Sequence, residues 1–280
     1  MNENNNIIWL ASYPKSGNTW FRSFISALKN NSNVDINELD TGGIFSSKCF
    51  LENILDLDSE LLTQEEIDAF KLLAWHYFST ESKEKKLIKI HDAINYSVVT
   101  NTLLIPQDAS WKSIYIVRHP FDVAISLANH LGSTIDVAVD FVNSQDSFLA
   151  NSKSPNNSQF QQNLGTWNYH VKSWKERASF PVLFIRYEDM KLEPFKVFKE
   201  AVVFLELDYN DETILSAIDA SNFDRLKEQE TMKGFKEKDS RTKSFFFKGE
   251  IGLGAKVLSP EQKSSICSAN YEMMQYFGYL

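Results

Sequence analysis

The chain has 280 residues, of which 43% are hydrophobic and 24% charged, and its formal net charge at pH 7 is −8. This composition is typical of a globular protein with ample material for a core, and it excludes a disordered chain. The negative charge argues against a nucleic-acid binder, although the local field at one site can still favour an anionic ligand. Only two distant cysteines occur, Cys49 and Cys267. They argue against a disulfide scaffold and indicate a reducing compartment.

The first six residues, MNENNN, are polar, carry no basic residue and lead straight into an apolar run. We therefore expect no signal peptide, no membrane span and a cytoplasmic location. No internal repeat is visible. The length favours a single domain over residues 1–280, with loop insertions near 30–60 and 133–160 and a mobile segment near 229–245.

Four short apolar runs predict buried strands, at residues 7–10, 86–90, 113–117 and 181–185. Helical patterns separate them, beginning at residues 18 and 120 and covering 63–80, 135–142, 164–178, 193–206, 213–220 and 259–277. Capping boxes are predicted at Thr63 with Glu66 and at Ser259 with Gln262, and the apolar face of helix 63–80 is assigned to residues that include Leu73 and Tyr77. The alternation predicts an α/β fold in which helices cover both faces of a parallel sheet.

A tight turn follows the first strand at residues 13–20, Tyr-Pro-Lys-Ser-Gly-Asn-Thr-Trp. Gly17 permits a sharp turn, Lys15 adds a charge, and Ser16 and Thr19 add hydroxyl groups. A loop of this kind directs backbone N–H groups at one point beside the positive end of a helix, which suits a phosphate or sulfate. The alternative is an ordinary turn with an exposed lysine.

Lys89 and His91 stand at the end of the second strand. Ligands of open α/β sheets bind at the carboxyl ends of the strands. A histidine there can act as a general base because its ordinary pKa lies near neutrality, and a purely structural histidine is the alternative.

Arg118 ends the third strand, and Ser126 lies eight positions later in the following helix. Together they can hold one phosphate, since arginine offers a planar fork of donors; a pair between Arg118 and a carboxylate is the alternative. His130 and His170 show no partner in the sequence. Glu188 and Asp189 are interpreted as charges at a helix start rather than as a catalytic acid pair.

Residues 13–20 resemble the YPKSGTTW phosphosulfate-binding loop of the sulfotransferases that use 3′-phosphoadenosine 5′-phosphosulfate (PAPS), and only Asn18 departs from it. Arg118 and Ser126 keep the spacing of the family's 3′-phosphate signature. These two matches are specific. The triplet from Lys89 to His91 resembles the family's K-T-H, whose histidine takes the proton from the acceptor hydroxyl.

Three weaker matches follow in the order that the family has them. Tyr187 begins a Y-E-D like the one whose tyrosine lies against adenine, and the segment from Ser221 to Phe223 resembles the T-S-F whose aromatic ring stacks opposite Trp20. The segment 247–252 resembles the closing R-K-G-x-x-G. Lys248, Gly249 and Gly252 agree with this last pattern, whereas Phe247 stands where an arginine is expected. Candidate replacements are Arg241 and Lys243.

The resemblance implies a P-loop NTPase-like sulfotransferase fold and transfer of a sulfuryl group from PAPS to a hydroxyl, less readily an amine, of a small-molecule acceptor. It implies His91, Lys15 and Lys89 as catalytic residues and no metal. The implied cofactor contacts are Lys15, Ser16, Gly17, Asn18, Thr19, Trp20, Arg118, Ser126, Tyr187, Ser221, Phe223, Phe247, Lys248 and Gly249.

Two other functions stay open at this point: a P-loop-type kinase and a non-catalytic PAPS-binding protein. The kinase is disfavoured because a Walker A loop places its lysine directly after a glycine, which this loop does not. The loops near Gly42, Ser97 and Ser133 are the candidate walls of the acceptor pocket, and the chain is expected to be a monomer or a homodimer.

Overall fold

The structure is a computed structural model that describes residues 5–39, 42–97, 100–150, 158–238, 242 and 244–280. Its strands are β1 Ile7–Ser12, β2 Lys86–Ile90, β3 Ser110–Val117, β4 Phe148–Leu149, β5 Gln162–Asn163 and β6 Val182–Arg186. Four of them form one parallel sheet in the order β2-β1-β3-β6, and β4 pairs with β5 in an antiparallel ribbon.

Helices within the described ranges surround this sheet. They are α1 Asn18–Lys29, α2 Lys48–Leu55, α3 Gln64–Glu81, α4 Pro120–Leu131, α5 Ile135–Asn143, α6 Trp167–Arg177, α7 Tyr187–Leu192, α8 Pro194–Phe204, α9 Asp211–Ala220, α10 Phe223–Lys233, α11 Leu253–Val257 and α12 Pro260–Tyr276. None of the helices in the described ranges is both long and apolar enough to cross a bilayer.

Strand β1 lies at the centre of the molecule and is buried along its whole length. Ile7, Trp9 and Ala11 point into one hydrophobic cluster, and Ile8 and Leu10 point into the other. Because side chains of a strand alternate between the two faces, a central strand needs apolar residues at every position when helices cover both sides. The predicted α/β fold with a doubly covered parallel sheet is confirmed.

Both predicted capping boxes are present, with Thr63 before α3 and Ser259 before α12. The apolar face assigned to α3 is wrong in part. Leu73 and Tyr77 are about half exposed, whereas Lys71 and Trp75 are buried. The core beside α3 therefore selects a helix face that carries one lysine, whose ammonium group lies 3.6 Å from the Asp92 carboxylate.

Two segments that were predicted to be irregular contain helices. Helix α2 lies inside the first predicted insertion, 30–60, and a short 3₁₀ turn at 59–61 follows at the end of that insertion. Helix α10 reaches Lys233, so the predicted irregular segment 229–245 begins in a helix. Asn222 caps α10 at its start, and Leu226 and Glu230 are buried along it, which stabilises the helix despite its poor apolar period.

All four sheet strands are parallel, so their carboxyl ends meet at one edge. That edge collects the residue runs after β1, β2, β3 and β6, which begin at Tyr13, His91, Arg118 and Tyr187. The topology thus brings four segments that are distant in sequence to one place, where ligands of such sheets bind.

Candidate functional site

A cleft of about 1070 Å³ opens at this edge of the sheet. Most of the site residues predicted from the sequence line it. These are Lys15, Gly17, Asn18, Thr19, Trp20, Lys89, His91, Arg118, Ser126, Tyr187, Phe223, Phe247, Lys248 and Gly249. Ser16 and Ser221 are predicted site residues that are fully buried and do not line the cleft.

The turn after β1 is shaped by two residues with left-handed backbone. Lys15 has φ 69° and Gly17 has φ 111°. A Cβ atom on Gly17 would lie 2.7 Å from Cδ2 of Tyr187, so only glycine lets the Tyr187 ring pack on the loop. Helix α1 begins directly after Gly17. The backbone N–H groups of its first turn have no partners within the helix and remain available for an anion.

Three buried polar atoms of this loop have no hydrogen-bond partner in the described part of the chain: Oγ of Ser16, Oδ1 of Asn18 and Nε1 of Trp20. Asn18 also donates from Nδ2 to the carbonyl oxygen of Leu10 at 3.0 Å, which fastens the start of α1 to β1. Buried polar atoms are normally paired. The cluster of unpaired atoms is the pattern of a site built for a polar ligand.

The Lys15 ammonium group lies 4.0 Å from the centroid of the Phe245 ring. Burial, with the charges of Lys89 and Arg118, lowers the pKa of Lys15 to about 7. A cation that is costly to keep charged in the ligand-free protein interacts strongly with an anion that enters the cleft.

Sequence reasoning missed a carboxylate that lies in the middle of these cations. Glu237 accepts a hydrogen bond from Nη1 of Arg22 at 2.6 Å and another from Nζ of Lys89 at 3.0 Å. Burial alone raises the pKa of Glu237, but Lys89 and Arg22 outweigh it and lower the pKa to about 2. No spacing in the sequence signals this contact, because the partners lie 215 and 148 positions away.

His91 is held in one tautomer. Its Nδ1 lies 2.8 Å from the backbone carbonyl oxygen of Ser12, which can only accept a hydrogen bond. The proton therefore lies on Nδ1, and Nε2 keeps its lone pair. Burial, with the charge of Lys89, lowers the pKa of His91 to about 3, so the ring is neutral at pH 7. A neutral imidazole with a free Nε2 at a cleft wall is equipped to take a proton.

His170, for which the sequence showed no partner, supports the same region. Its Nε2 donates to the carbonyl oxygen of His91 at 2.8 Å, so its Nδ1 accepts from the Tyr115 hydroxyl at 2.7 Å. Together with the bond from His91 to Ser12, these contacts form a chain of hydrogen bonds that joins β3, α6, the end of β2 and β1.

Arg118 is buried beside the loop. Its guanidinium group lies 4.3 Å from the Tyr187 ring centroid and donates to the backbone oxygens of Lys15 and Glu250, at 3.2 and 2.9 Å. Its Nε is buried without a partner among the described residues. Ser126 lines the same part of the cleft.

Aromatic rings lie on the far side of the loop. Lys191 has its Nζ 5.7 Å from the Trp20 ring and 5.4 Å from the Phe223 ring, so a sequence-distant lysine stands between the two rings predicted to enclose a base. Phe223 packs on Gly249, where an added Cβ would lie 2.6 Å from Cε2 of the ring. The Tyr187 hydroxyl donates to the Gly249 carbonyl oxygen at 3.1 Å.

The segment 245–254 is fixed by two acidic side chains. Both oxygens of Asp122 accept backbone N–H groups, from Gly252 at 2.8 Å and Gly254 at 2.7 Å. Glu230 accepts the N–H groups of Phe245 and Phe246. Phe247, which stands where the family has arginine, is 36% exposed. The candidate replacements Arg241 and Lys243 lie outside the described residues.

Ser221 and Glu188 have structural contacts. The Ser221 hydroxyl donates to the carbonyl oxygen of Ala217 at 2.8 Å, and it closes the end of α9 away from the cleft. Glu188 accepts the backbone N–H of His119 at 3.0 Å and the Tyr279 hydroxyl at 2.7 Å. Its carboxylate is thus engaged by the segment after Arg118, in line with its interpretation as a non-catalytic charge.

The other half of the cleft is mainly apolar, and the two predicted insertions supply it. The first contributes Leu39, Gly43 and Ile44, and the second contributes Phe141, Phe148, Leu149, Ala150 and Ser158. Gln159 and Gln162 line it as well. We call this region the acceptor half. The described residues between 97 and 106, also a candidate wall, do not line the cleft.

Known proteins share this architecture. Two solved structures have the same fold. One is mouse sulfotransferase SULT7A1 complexed with PAP (adenosine 3′,5′-bisphosphate), with a TM-score of 0.61 and 23% identity, covering 96% of this chain and 84% of that one. The other is retinol dehydratase in a complex with retinol and PAP, with a TM-score of 0.62 and 19% identity, covering 97% of this chain and 82% of that one.

Curated relatives are similar in sequence. The chain is 29% identical over 221 residues to sulfotransferase 1A1 of Rattus norvegicus, covering 78% of this chain and 66% of the rat protein. It is 24% identical over 283 residues to cytosolic sulfotransferase 16 of Arabidopsis thaliana, covering 97% and 77%. The match to the rat protein thus spans slightly less than two thirds of that relative. A model of the sulfotransferase domain family matches residues 5–278, and the chain belongs to this family.

Proposed function

We propose that this chain transfers a sulfuryl group from PAPS to a hydroxyl group of a small-molecule acceptor. The observation that carries the proposal is the tautomer of His91: Nδ1 is engaged by Ser12, so a neutral imidazole offers Nε2 at a cleft that also contains the loop with Lys15. An anion site and a poised base in one cleft are what transfer of an anionic group to a hydroxyl requires.

The residues present fit PAPS. Its anionic groups match the open N–H groups at the start of α1, the cations Lys15 and Lys89, and Nε of Arg118, which is buried without a partner in the described ranges. The unpaired Oγ of Ser16 lies in the same loop. When bound, PAPS supplies an activated sulfuryl group. The rings of Trp20 and Phe223 provide stacking surfaces of the kind that purines use.

The chain's own groups then have separate tasks. His91 accepts the proton of the acceptor hydroxyl at Nε2, while its bond to Ser12 keeps the ring oriented. Lys15 would neutralise the negative charge that develops on the oxygen between the sulfur and the phosphorus of PAPS. Lys89 would neutralise charge on the sulfuryl oxygens. Such interactions strengthen in the transition state and therefore raise the rate. Lys89 must first exchange its contact with Glu237.

The acceptor half supports a largely apolar acceptor. Side chains such as Ile44, Phe141, Phe148 and Leu149 surround it, and the polar groups there are few. The structural neighbour that is named as binding retinol has an apolar ligand of this kind. We propose that the acceptor of this chain is likewise an apolar small molecule, and that it carries a reactive hydroxyl group. We further propose that the chain is located in the cytoplasm and is a monomer or a homodimer.

The deciding experiment is a thermal-shift titration with adenosine 3′,5′-bisphosphate (PAP), with ADP and with ATP plus Mg²⁺ as controls. A ligand at a hundred times its Kd adds about 2.7 kcal/mol of stability, which raises the Tm measurably. We expect a shift with PAP that exceeds those of both controls. A shift with ATP and Mg²⁺ but none with PAP would overturn the proposal in favour of a kinase.

A further inference from the structure

Among the described residues of the acceptor half, one buried polar atom has no hydrogen-bond partner. Gln162 is only 2% exposed and lines the cleft, and its Oε1 is unpaired within the described part of the chain. An amide oxygen can only accept a hydrogen bond. A buried acceptor without a donor is costly, and in native proteins it is usually satisfied by something.

Neighbouring side chains hold the nitrogen end of the amide. Nε2 of Gln162 donates to Oε1 of Gln159 at 2.9 Å, and the same oxygen accepts from the Ser46 hydroxyl at 3.2 Å. In this arrangement Gln162 presents its nitrogen to Gln159, and its own oxygen is left without a donor among the described residues.

The backbone of β5 holds this side chain beside the proposed base. The side chains of Gln161, which precedes β5, and Asn163 bond to each other at 2.9 Å, so they lie on one side of the chain, and Gln162 points to the opposite side. The carbonyl oxygen of Asn163 accepts the N–H of Ala93 at 2.9 Å. Ala93 lies two residues after His91, so the strand that carries Gln162 is tied to the segment that carries the base.

Building on the sulfotransferase activity proposed above, we infer that the acceptor carries a second hydrogen-bond donor, a hydroxyl or an amine N–H, which binds Oε1 of Gln162. The hydroxyl that receives the sulfuryl group donates its proton to His91 and cannot serve both atoms. The apolar walls of the acceptor half require the rest of the molecule to be apolar. The acceptor class is thus a diol or amino alcohol on an apolar frame.

The test compares dihydroxynaphthalenes of several substitution patterns, each with its monomethyl ether, as ligands of the PAP-saturated protein. The ether keeps the ring frame, one hydroxyl and the second oxygen, but it loses one donor and gains a methyl group, whose steric effect the Gln162 variants below separate from loss of the donor. We expect at least one diol to bind about tenfold more tightly than its ether, the effect of leaving one buried acceptor unpaired. Binding is followed by thermal shift and by tryptophan fluorescence, so turnover is not needed.

Gln162→Met removes the amide but keeps the length of the side chain, and we expect it to bind the preferred diol and its ether equally. Gln161→Met, in the residue before β5 whose side chain points away from that of Gln162, is the matched control and should keep the preference. Gln162→Leu is the second variant if Gln162→Met does not fold.

A panel in which no diol binds better than its ether overturns the inference, as does a preference that survives both Gln162 variants. Stabilisation by PAP alone is measured first, without an acceptor. It reports on the proposed function independently, so the absence of a diol preference in a wild-type protein that binds PAP counts against the inference on Gln162 only.

Discussion

Nδ1 of His91 lies 2.8 Å from the backbone carbonyl oxygen of Ser12, and this bond joins the proposed base to the strand that enters the proposed phosphate loop. The bond decides the tautomer, because a carbonyl oxygen accepts only. It also makes the orientation of the base dependent on the loop. This hydrogen bond thus couples the position of the proposed base to that of the proposed anion site.

His91→Ala is expected to lower kcat by about 10²- to 10⁴-fold, the range for loss of a general base, and to leave PAP binding nearly intact. Steady-state kinetics and a PAP thermal-shift titration measure the two effects. His76→Ala is the control, since His76 is half exposed on α3 and pairs with Asp108 at the surface. Loss of PAP binding in His91→Ala would mean that the residue is structural.

Tyr115→Phe is expected to destabilise the protein by about 1–3 kcal/mol, because it leaves a buried acceptor on His170 unpaired. It should also lower kcat more than it changes the KM for PAPS, since the chain of bonds from Tyr115 through His170 to His91 is broken. Urea unfolding and kinetics test both. Tyr271→Phe at an exposed position is the control. Unchanged stability and kcat in Tyr115→Phe would show that this chain of hydrogen bonds has no such role.

Glu237→Gln is expected to tighten PAP binding severalfold, because Lys89 and Arg22 lose a carboxylate that competes with the anionic ligand. The ligand-free protein should lose about 1 kcal/mol of stability, a modest cost because Glu237 is one third exposed. Isothermal titration and urea unfolding are the measurements. Glu38→Gln removes an exposed ion pair with Lys236 and should change neither PAP binding nor the free energy of unfolding. Weaker PAP binding in Glu237→Gln would contradict the idea that the Glu237 carboxylate competes with the ligand for Lys89 and Arg22.

Gly17→Ala and Gly43→Ala separate backbone strain from a steric clash. The two glycines have nearly equal φ, 111° and 115°, so both substitutions cost about 1–2 kcal/mol of backbone strain. Only at Gly17 does the added Cβ meet the Tyr187 ring, at 2.7 Å. We expect Gly17→Ala to be the more destabilising and to abolish PAP binding. Equal losses of stability in the two variants would remove Tyr187 from the explanation.

Stability is expected to fall as the pH is lowered from about 6.5 to about 4. Burial lowers the pKa of His91 to about 3 and that of His170 to about 4, whereas unfolded histidines titrate near 6.5. Between these values the unfolded chain binds more protons than the folded one, so acid favours unfolding. Urea unfolding at pH 7 and pH 5 measures the loss. His170→Asn should make the loss smaller, and an unchanged dependence would argue against a neutral buried His170.

Several local features were predictable from the sequence because their determinants lie within a few residues. The capping boxes at Thr63 and Ser259 need only one turn of helix. The apolar run of β1 and the turn at Gly17 predicted a strand, a loop and a helix, and the structure has them. The fold class followed from the alternation of such units.

Other features required the tertiary structure. Glu237 reaches Lys89 across 148 positions, and His170 reaches His91 across 79. Ser221 matched a motif, yet its hydroxyl bonds within α9, because a three-residue resemblance does not determine which way a side chain points. The buried face of α3 also differed, since packing rather than periodicity chose Lys71.

By itself, the sequence determined the elements, the parallel α/β fold and the identity of the chemically competent residues at the strand ends, because hydrophobic periodicity and turn chemistry act locally. Only the tertiary structure decided the His91 tautomer, the pairing of Glu237 and the unpaired oxygen of Gln162. Each of these depends on which groups from distant segments meet in a buried place, where an unpaired polar atom or charge carries a large free-energy cost.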